Sequence, residues 1–510
     1  MNRKDFKVMF VFVNDRFRTF IPINISYLSA AVKEAGFSTC LFDTSFYAEQ
    51  EGVELEKKKE EAGIFMPVDY ASIGVHLKHD DLFKDFLDAI ENEKPQLIAF
   101  SVFSQAKFQN FDMANAVKEK FPDIPIVMGG IHINVEPEEV FKHSKTDYIC
   151  LGEGEETLVE LADCLATGKD TTNIQNLAIT VNGVIQKNPL RPTQHLDELP
   201  FPDWDLFKPY HQYGPFRGEL YKMALVEYSR TCPFDCHYCG NDALRGNYRD
   251  SGQLQGTGYR YKSPRRWIDE LKHLKDKYGV RILYIVDGTF AAQKSSNLEE
   301  VAELYAKEIG LPFFCDATVF CLSPKKAKLL VDMGCSCVNM GVESGNLEYR
   351  KKYLNRTMTN EKIISSFLGA REAGLETRSF NIIGSPYETR EDIMGTIELN
   401  RRAQVGSISL SIFMPYEGTP LRKMCIDDGL VDPDTPIAGD GTEPIIKNPN
   451  LSYDELMGLY NTFALYVLAP KKLWPEIKKA EANTPEGLLL RKEILEDIQG
   501  KQDFQYIDPG

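Results

Sequence analysis

The chain has 510 residues, 43% hydrophobic and 26% charged, which is the balance of an ordinary globular protein. One core rarely serves so long a chain, and roughly two to four domains are expected. A net charge of −16 argues against a general nucleic-acid binder and against an anionic membrane surface as partner, since both need a basic face.

The start, Met1-Asn2-Arg3-Lys4-Asp5-Phe6, runs straight into a strand-like segment without an apolar core or cleavage site, so no signal peptide is expected. No stretch approaches the length of apolar residues that a membrane span needs. Eleven cysteines without disulfide rhythm fit a reducing cytoplasm.

The first third alternates strand and helix. Strands are expected at 7–14, 37–42, 95–101, 124–128 and 147–150, with helices at 23–35, 108–121 and from 155 to about 166. This order implies a doubly wound parallel sheet, which binds ligands beyond the carboxyl ends of its strands. Those ends hold Asn14-Asp15, Ser101 to Ser104, Gly129-Gly130-Ile131-His132 and Leu151 to Glu155. Paired glycines admit a ligand close to the backbone. A charge-dense stretch at 47–63 is expected to be a solvated helix, and the more apolar 64–77 either a lid or packing. Residues 166–222 read as connecting structure, with a hairpin at 178–185 turning on Asn182-Gly183 and a proline-bearing linker at 196–204.

Strand–helix alternation restarts at 223, with strands expected at 223–229, 281–286, 312–318, 336–341, 376–383 and 406–413. Six βα units make a partial version of the parallel barrel, whose function sits on loops at the strands' carboxyl ends. Directly after the first of these strands comes Thr231-Cys232-Pro233-Phe234-Asp235-Cys236-His237-Tyr238-Cys239-Gly240. Thiolates so spaced can converge on one inorganic centre from a single loop. A structural zinc site wants four protein ligands, and no second Cys/His pair follows at knuckle distance. A 4Fe–4S cluster on three thiolates leaves one iron open.

This loop, with Tyr238 before the third cysteine, resembles the radical S-adenosylmethionine (SAM) superfamily. The resemblance implies that Cys232, Cys236 and Cys239 hold the cluster, that SAM binds the open iron, and that its reductive cleavage gives a 5′-deoxyadenosyl radical. Residues 1–165, upstream of the loop, are similar to the cobalamin-binding domain of cobalamin-dependent members. That implies cobalamin against Asn14, Ser101, Ser104, Gly129, Gly130, His132, Gly152 and Glu153. The loop after the first strand, 14–19, lacks the Asp-x-His-x-x-Gly histidine of many such domains, which excludes cobalt ligation from that motif. His132 could approach the cofactor, although a capping or hydrogen-bonding loop histidine is the plainer reading.

The resemblance also assigns the later strand ends to SAM. Val286-Asp287-Gly288 takes the place of a motif that meets the SAM amino group, with a turn aspartate as the plain alternative. Glu343 and Ser344 match the ribose and methionyl contacts, Ile382 and Gly384 an adenine contact with open backbone, and Met414 a second adenine neighbour. Glu388 stands one position late for that motif. Cys315, Cys321, Cys335 and Cys337 read as packing residues.

The expected organisation is therefore a cobalamin-binding-like domain (1–165), a hairpin and linker (166–222), a radical SAM partial barrel (223–423) and a helical C-terminal region (424–510), the last expected to cap the barrel mouth. The implied activity is methylation of an unactivated carbon on a small-molecule or natural-product substrate. The implied electron donor is a flavodoxin or ferredoxin. Radical cyclisation or rearrangement with the same cofactors is one rival, and a non-catalytic cobalamin or redox sensor is another.

Overall fold

The structure, a computed structural model, describes residues 1–14, 19–48, 68–181, 184–216, 218–437 and 441–499. The expected helix at 47–63, the Asn182-Gly183 turn and most of the loop after the first strand lie largely outside these residues.

The N-terminal sheet runs in the order β2-β1-β3-β4-β5-β6-β7, built from β1 (Lys7–Phe12), β2 (Ser38–Asp43), β3 (Leu97–Ser101), β4 (Ile126–Gly129), β5 (Tyr148–Cys150), β6 (Leu177–Val181) and β7 (Val184–Lys187). The first five strands are parallel. All of β3 and all but the first residue of β1 are buried, because helices cover both faces of the sheet. The helices are α1 (Ile23–Glu34), α2 (Leu82–Glu93), α3 (Lys107–Lys120), the short α4 (Ile131–Val135) and α5 (Pro137–His143), and α6 (Glu155–Thr167). The topological switch falls between β1 and β3, where such sheets open a crevice.

The region expected to be connecting structure does more. β6 and β7 extend the sheet antiparallel beyond β5. Leu196, Leu199 and Trp204 of the expected linker are buried, and Arg266 Nη2 holds the Leu199 carbonyl at 2.7 Å. Within 68–77, Tyr70 and Val75 pack on Phe46, so the described part of that stretch is packing.

The second sheet runs β16-β15-β14-β13-β12-β9-β8. Its parallel strands are β9 (Glu219–Val226), β12 (Ile282–Ile285), β13 (Phe313–Ala317), β14 (Cys335–Glu343), β15 (Glu376–Ile383) and β16 (Ser407–Ile412), and β8 (Tyr213–Phe216) adds an antiparallel edge. A two-residue ladder, β10 (Ser229–Arg230) with β11 (Arg260–Tyr261), stands at the base of the cysteine loop. The helices are α7 (Gly240–Asp250), α8 (Pro264–Tyr278), α9 (Ser295–Glu308), α10 (Pro324–Met333), α11 (Leu347–Tyr353), α12 (Asn360–Ala373), α13 (Arg390–Ala403) and α14 (Pro420–Asp427). Local chemistry fixes their ends. Ser263 caps α8 ahead of Pro264, and Gly279 closes it in the left-handed region at φ 70°. Thr389 and Asp392 form a capping box on α13.

The tail gives α15 (Tyr453–Leu468), α16 (Trp474–Ala480) and α17 (Pro485–Gln499). Earlier in the C-terminal region, Leu430, Val431 and Ile446 pack with Phe413, beside Tyr238 and Ile382. Leu456, Leu459 and Phe463 of α15 pack with Ile383, Ile397 and Ile412 on the outer side of β15 and β16. Among the described residues no helix is long and apolar enough to cross a membrane.

Candidate cofactor-binding and active site

The cysteine loop leaves β9 through β10, and Cys239 is the residue that opens α7. Thr231 takes φ 66°, uncommon for a residue other than glycine, and its hydroxyl donates to Gly258 O at 2.5 Å. Arg245 of α7 reaches back to Cys232 O, Phe234 O and the Asp235 carboxylate, at 3.2, 3.3 and 2.6 Å. A Cβ on Gly288 would stand 3.1 Å from Cys232 Cβ, so the residue after Asp287 must be small for the loop to rest there.

The three thiols are partly exposed and unbridged. Among the described residues no trio of His, Cys, Asp or Glu is gathered tightly enough for a single metal ion. A cluster asks less, because each thiolate binds a different iron. Burial raises the Cys232 thiol to about 11 and also lifts Cys236, where Arg356 opposes it. Asn241 Nδ2 lies 3.7 Å from Cys239 Sγ and Arg356 Nη1 3.8 Å from Cys236 Sγ, donors of the kind that set a cluster's potential. The donor set fits a cluster on three thiolates.

Arg356 also donates to Tyr238 OH at 3.2 Å and Gly341 O at 2.8 Å. Tyr238 OH in turn donates to Glu343 Oε1 at 3.1 Å. Glu343 is buried at φ 64°, and burial raises its pKa against the pull of Arg356 and Tyr238. Ser344 is buried beside it, its Oγ accepting from Asn346 N at 3.4 Å. Tyr238 and Ile382 flank the apolar cluster of Phe413, next to Met414. Tyr238, Glu343 and Ile382 are thus brought to the cysteine loop.

Two of the expected SAM contacts sit differently. Asp287 is buried, with Oδ1 taking Tyr228 N and Ser229 N at 2.8 and 3.1 Å and Oδ2 taking Ser229 Oγ at 2.6 Å. It ties the strand end that launches the loop. Burial pushes it up to about 7 against those hydrogen bonds. Gly384 is not open backbone. It is buried at φ 73°, and a Cβ there would meet Leu456 Cδ2 at 2.6 Å.

A cavity of about 810 Å³ opens at the carboxyl ends of the first sheet. Phe12, Leu28, Phe103 and Leu161 give it apolar walls, and Asn14, Ser101 and Glu153 supply polar ones. Its far side comes from the second sheet, through Leu225, Glu227 and Arg230 around β9, Val286 after β12 and Leu244 of α7. A large cavity of mostly apolar lining with a few converging polar groups suits a bulky organic cofactor.

Of the residues expected to touch cobalamin, Asn14, Ser101, Gly129, Gly130, Gly152 and Glu153 line this cavity, and Ser104 and His132 do not. His132 is wholly buried on the other side of its turn. Its Nδ1 lies 3.2 Å from Ser104 Oγ, and its Nε2 3.0 Å from Glu139 Oε2, out of line for a good hydrogen bond. Lys107 joins the group, 2.8 Å from Glu139 and 3.2 Å from Glu417 after β16. The glycines also divide. Gly130 at φ 108° would place a Cβ 2.7 Å from Val102 O, a packing demand of β3, whereas a Cβ on Gly129 meets Cys150 at an ordinary 3.7 Å.

Residue-by-residue reading missed Asn24, whose Nδ2 donates to Ser101 Oγ at 2.6 Å, and Asn134, which takes Gly152 N at 2.6 Å. It also missed Arg230 and Glu227, which line the cavity with Glu153 and Glu155. Burial alone would raise Glu153, but Arg230 and Arg260 hold it below the usual carboxylate range.

A doubly wound domain and a parallel half-barrel meeting over a three-thiol loop define a protein that carries an organic cofactor against a metal cluster. Residues 11–162 match the model of the B12 binding domain, and residues 226–399 that of the radical SAM superfamily. The chain belongs to the cobalamin-dependent radical SAM enzymes.

It is 27% identical over 405 residues to the uncharacterized methyltransferase PH0819 of Pyrococcus horikoshii, covering 79% of this chain and 85% of that one. It is 22% identical over 473 residues to the cytidylyl-2-hydroxyethylphosphonate methyltransferase of Streptomyces wedmorensis, covering 83% and 81%. Among solved structures, the radical SAM methyltransferase TsrM from Kitasatospora setae, with cobalamin and a [4Fe-4S] cluster bound, superposes with TM-score 0.63 at 15% identity, over 98% of this chain and all of that one. The cobalamin-dependent radical enzyme OxsB with aqua-cobalamin gives TM-score 0.66 at 15% identity, over 98% of this chain and 76% of its own. Membership of an enzyme family leaves the sensor reading without support.

Proposed function

We propose that this enzyme transfers a methyl group to an unactivated carbon of a small-molecule substrate. One observation carries the reading: the cavity lined by the first sheet shares a wall, through Leu225, Glu227 and Arg230, with the strand that launches Cys232, Cys236 and Cys239. When bound, the cluster supplies one electron that splits SAM into methionine and a 5′-deoxyadenosyl radical, and cobalamin supplies the methyl carrier. The chain's own residues do the holding. The three thiolates would anchor the cluster, and Arg356 and Asn241 donate towards the sulfurs of Cys236 and Cys239. Tyr238, Glu343 and Ile382 shape the SAM side, and Asn14, Ser101, Gly129 and Gly152 the cobalamin side. The electron comes from a one-electron donor such as a flavodoxin or ferredoxin, in a reducing cytoplasm that suits eleven free thiols.

Anaerobic reconstitution with iron, sulfide and hydroxocobalamin tests this. About four irons and one cobalamin per chain are expected, and Cys232→Ala, Cys236→Ala and Cys239→Ala each remove the iron. Iron without cobalamin would sink the methyl-transfer reading. A second reading keeps the cofactors but closes a ring. It is favoured by 23% identity over 347 residues to the anaerobic magnesium-protoporphyrin IX monomethyl ester cyclase of Rubrivivax gelatinosus. Products separate the two, since methyl transfer releases S-adenosylhomocysteine beside 5′-deoxyadenosine and ring closure does not.

A further inference from the structure

Arg230 stands two residues before Cys232, in β10. Directly across the two-strand ladder its partner is Arg260. Like charges facing each other across strands are destabilising. Here the ladder is neutralised from the other domain. Glu153, in the loop after β5, lies between the two guanidiniums, 3.2 Å from Arg230 Nη1 and also paired with Arg260 Nη2. Glu155 takes Arg230 Nη2 at 2.7 Å, and Glu227 takes Arg230 Nε at 3.0 Å. The Tyr27 ring lies 5.8 Å from the guanidinium, and behind it Lys262 and Glu270 pair with each other at 2.9 Å. Arg260 Nη1 holds Gln194 O, and Gln194 N donates to Glu153 Oε2 at 3.0 Å. Five charges thus meet at the seam, and four of their owners, Glu153, Glu155, Glu227 and Arg230, line the cavity.

We propose that Arg230 is a positioning residue that latches the cluster loop to the cofactor-binding domain through Glu153 and Glu155, so that cobalamin binding and cluster binding are energetically coupled. This rests on the assignment of cobalamin to the cavity. The base of the cysteine loop is electrostatically satisfied only when the loop after β5 is docked. That loop forms part of the cavity wall, so a cofactor that orders it also orders the ladder. Coupling of this kind is reciprocal: whatever the cluster does to cobalamin affinity, cobalamin does to cluster retention.

The test is a visible titration of hydroxocobalamin into the full-length protein, with the cluster present and with iron removed by chelation. In the parent chain the dissociation constant is expected to tighten about fivefold or more when the cluster is present, the low end of ordinary coupling. In Glu153→Gln, and separately in Glu155→Gln, that ratio should fall towards one. A far-UV circular dichroism spectrum confirms that each variant is folded, and a residue that merely stabilised the fold would leave the ratio unchanged. The latch is overturned if the parent binds cobalamin equally well in both iron states, or if both variants keep the parent's ratio. A parent that binds no cobalamin in either state overturns the cavity assignment itself, and the latch falls with it. Should Glu153→Gln fail to fold, Glu155→Gln decides alone, because Glu155 pairs with Arg230 and leaves the Arg260 contact to Glu153 intact.

Discussion

Asp287 can be tested by the difference between two substitutions. As scaffold, it offers oxygens to Tyr228 N, Ser229 N and Ser229 Oγ. Asp287→Asn keeps an amide oxygen for the two backbone donors, and the Ser229 hydroxyl can rotate to accept from the new NH₂. Its cost is expected to stay within about 1 kcal/mol, the net worth of one hydrogen bond. Asp287→Ala strands two buried N–H groups. At about 1–3 kcal/mol for each, the strand end loses roughly 2–6 kcal/mol, enough to free the loop that carries Cys232. The expected outcome is that Asn at this position retains the parent's iron content and SAM affinity, while Ala loses iron. Iron is counted after anaerobic reconstitution, and SAM affinity is read from its effect on the reduced cluster's paramagnetic resonance signal. Had Asp287 been the acceptor for the SAM ammonium, the neutral amide would lose a charge-assisted bond of about twice the ordinary strength. A tenfold or larger loss of SAM affinity in Asp287→Asn, with iron intact, would therefore refute the scaffold role.

The paired glycines should behave unequally. Gly130→Ala places a Cβ 2.7 Å from Val102 O at φ 108°, and is expected to destabilise by about 1–3 kcal/mol of backbone strain or more, seen as a lower melting temperature. Gly129→Ala meets only an ordinary contact and should fold as the parent does, yet bind hydroxocobalamin more weakly because it narrows the cavity. His132→Gln should lose about 1–2 kcal/mol of stability from its buried contacts with Ser104 and Glu139, and leave cobalamin affinity within about twofold. Glu388 is wholly buried, one of its oxygens has no partner, and burial lifts it to about 8. The folded chain then holds this proton up to about pH 8, whereas the unfolded chain releases it near the ordinary carboxylate value of 4.5. Folded protein binds more protons in between, so this contribution to stability is full below about pH 4.5 and is lost as pH rises to about 8, on the order of 5 kcal/mol in all. Denaturation midpoints across that range should show the slope, and Glu388→Gln should flatten it.

The cysteine loop was legible because all three ligands come from eight consecutive residues, and a motif so local survives without knowledge of the fold. Strand ends were legible for a similar reason. Strand β15 is expected at 376–383 and observed there, its residues alternating between buried and more exposed, and α15 begins at Tyr453 behind the Ser452 cap. What escaped was long-range. Tail helix α15 reads as amphipathic from its own sequence, but nothing local says that its apolar face belongs on the outside of β15 and β16 rather than over the barrel mouth. Gly384 shows the same limit from the other side. A glycine at a strand end suggests open backbone for a ligand, and here it makes room for Leu456, seventy-two residues on.

Charge makes the point most sharply. Read singly, Glu153 and Glu155 suit a helix start, and Arg230 is one of many cations on an acidic chain. Their pairing joins residues 75 and 77 positions apart, and it occurs because β10 and β11 set two arginines face to face at the seam between the two sheets. A surface pair of this sort would count for little, but these side chains are only 15, 18 and 7% exposed at Arg230, Glu153 and Glu155. Removing one partner from such a group leaves its opposite charge uncompensated, which is far more damaging than losing a surface bridge. The seam is therefore the place where a single neutralising substitution should uncouple the two cofactor sites while leaving the ligands of each in place.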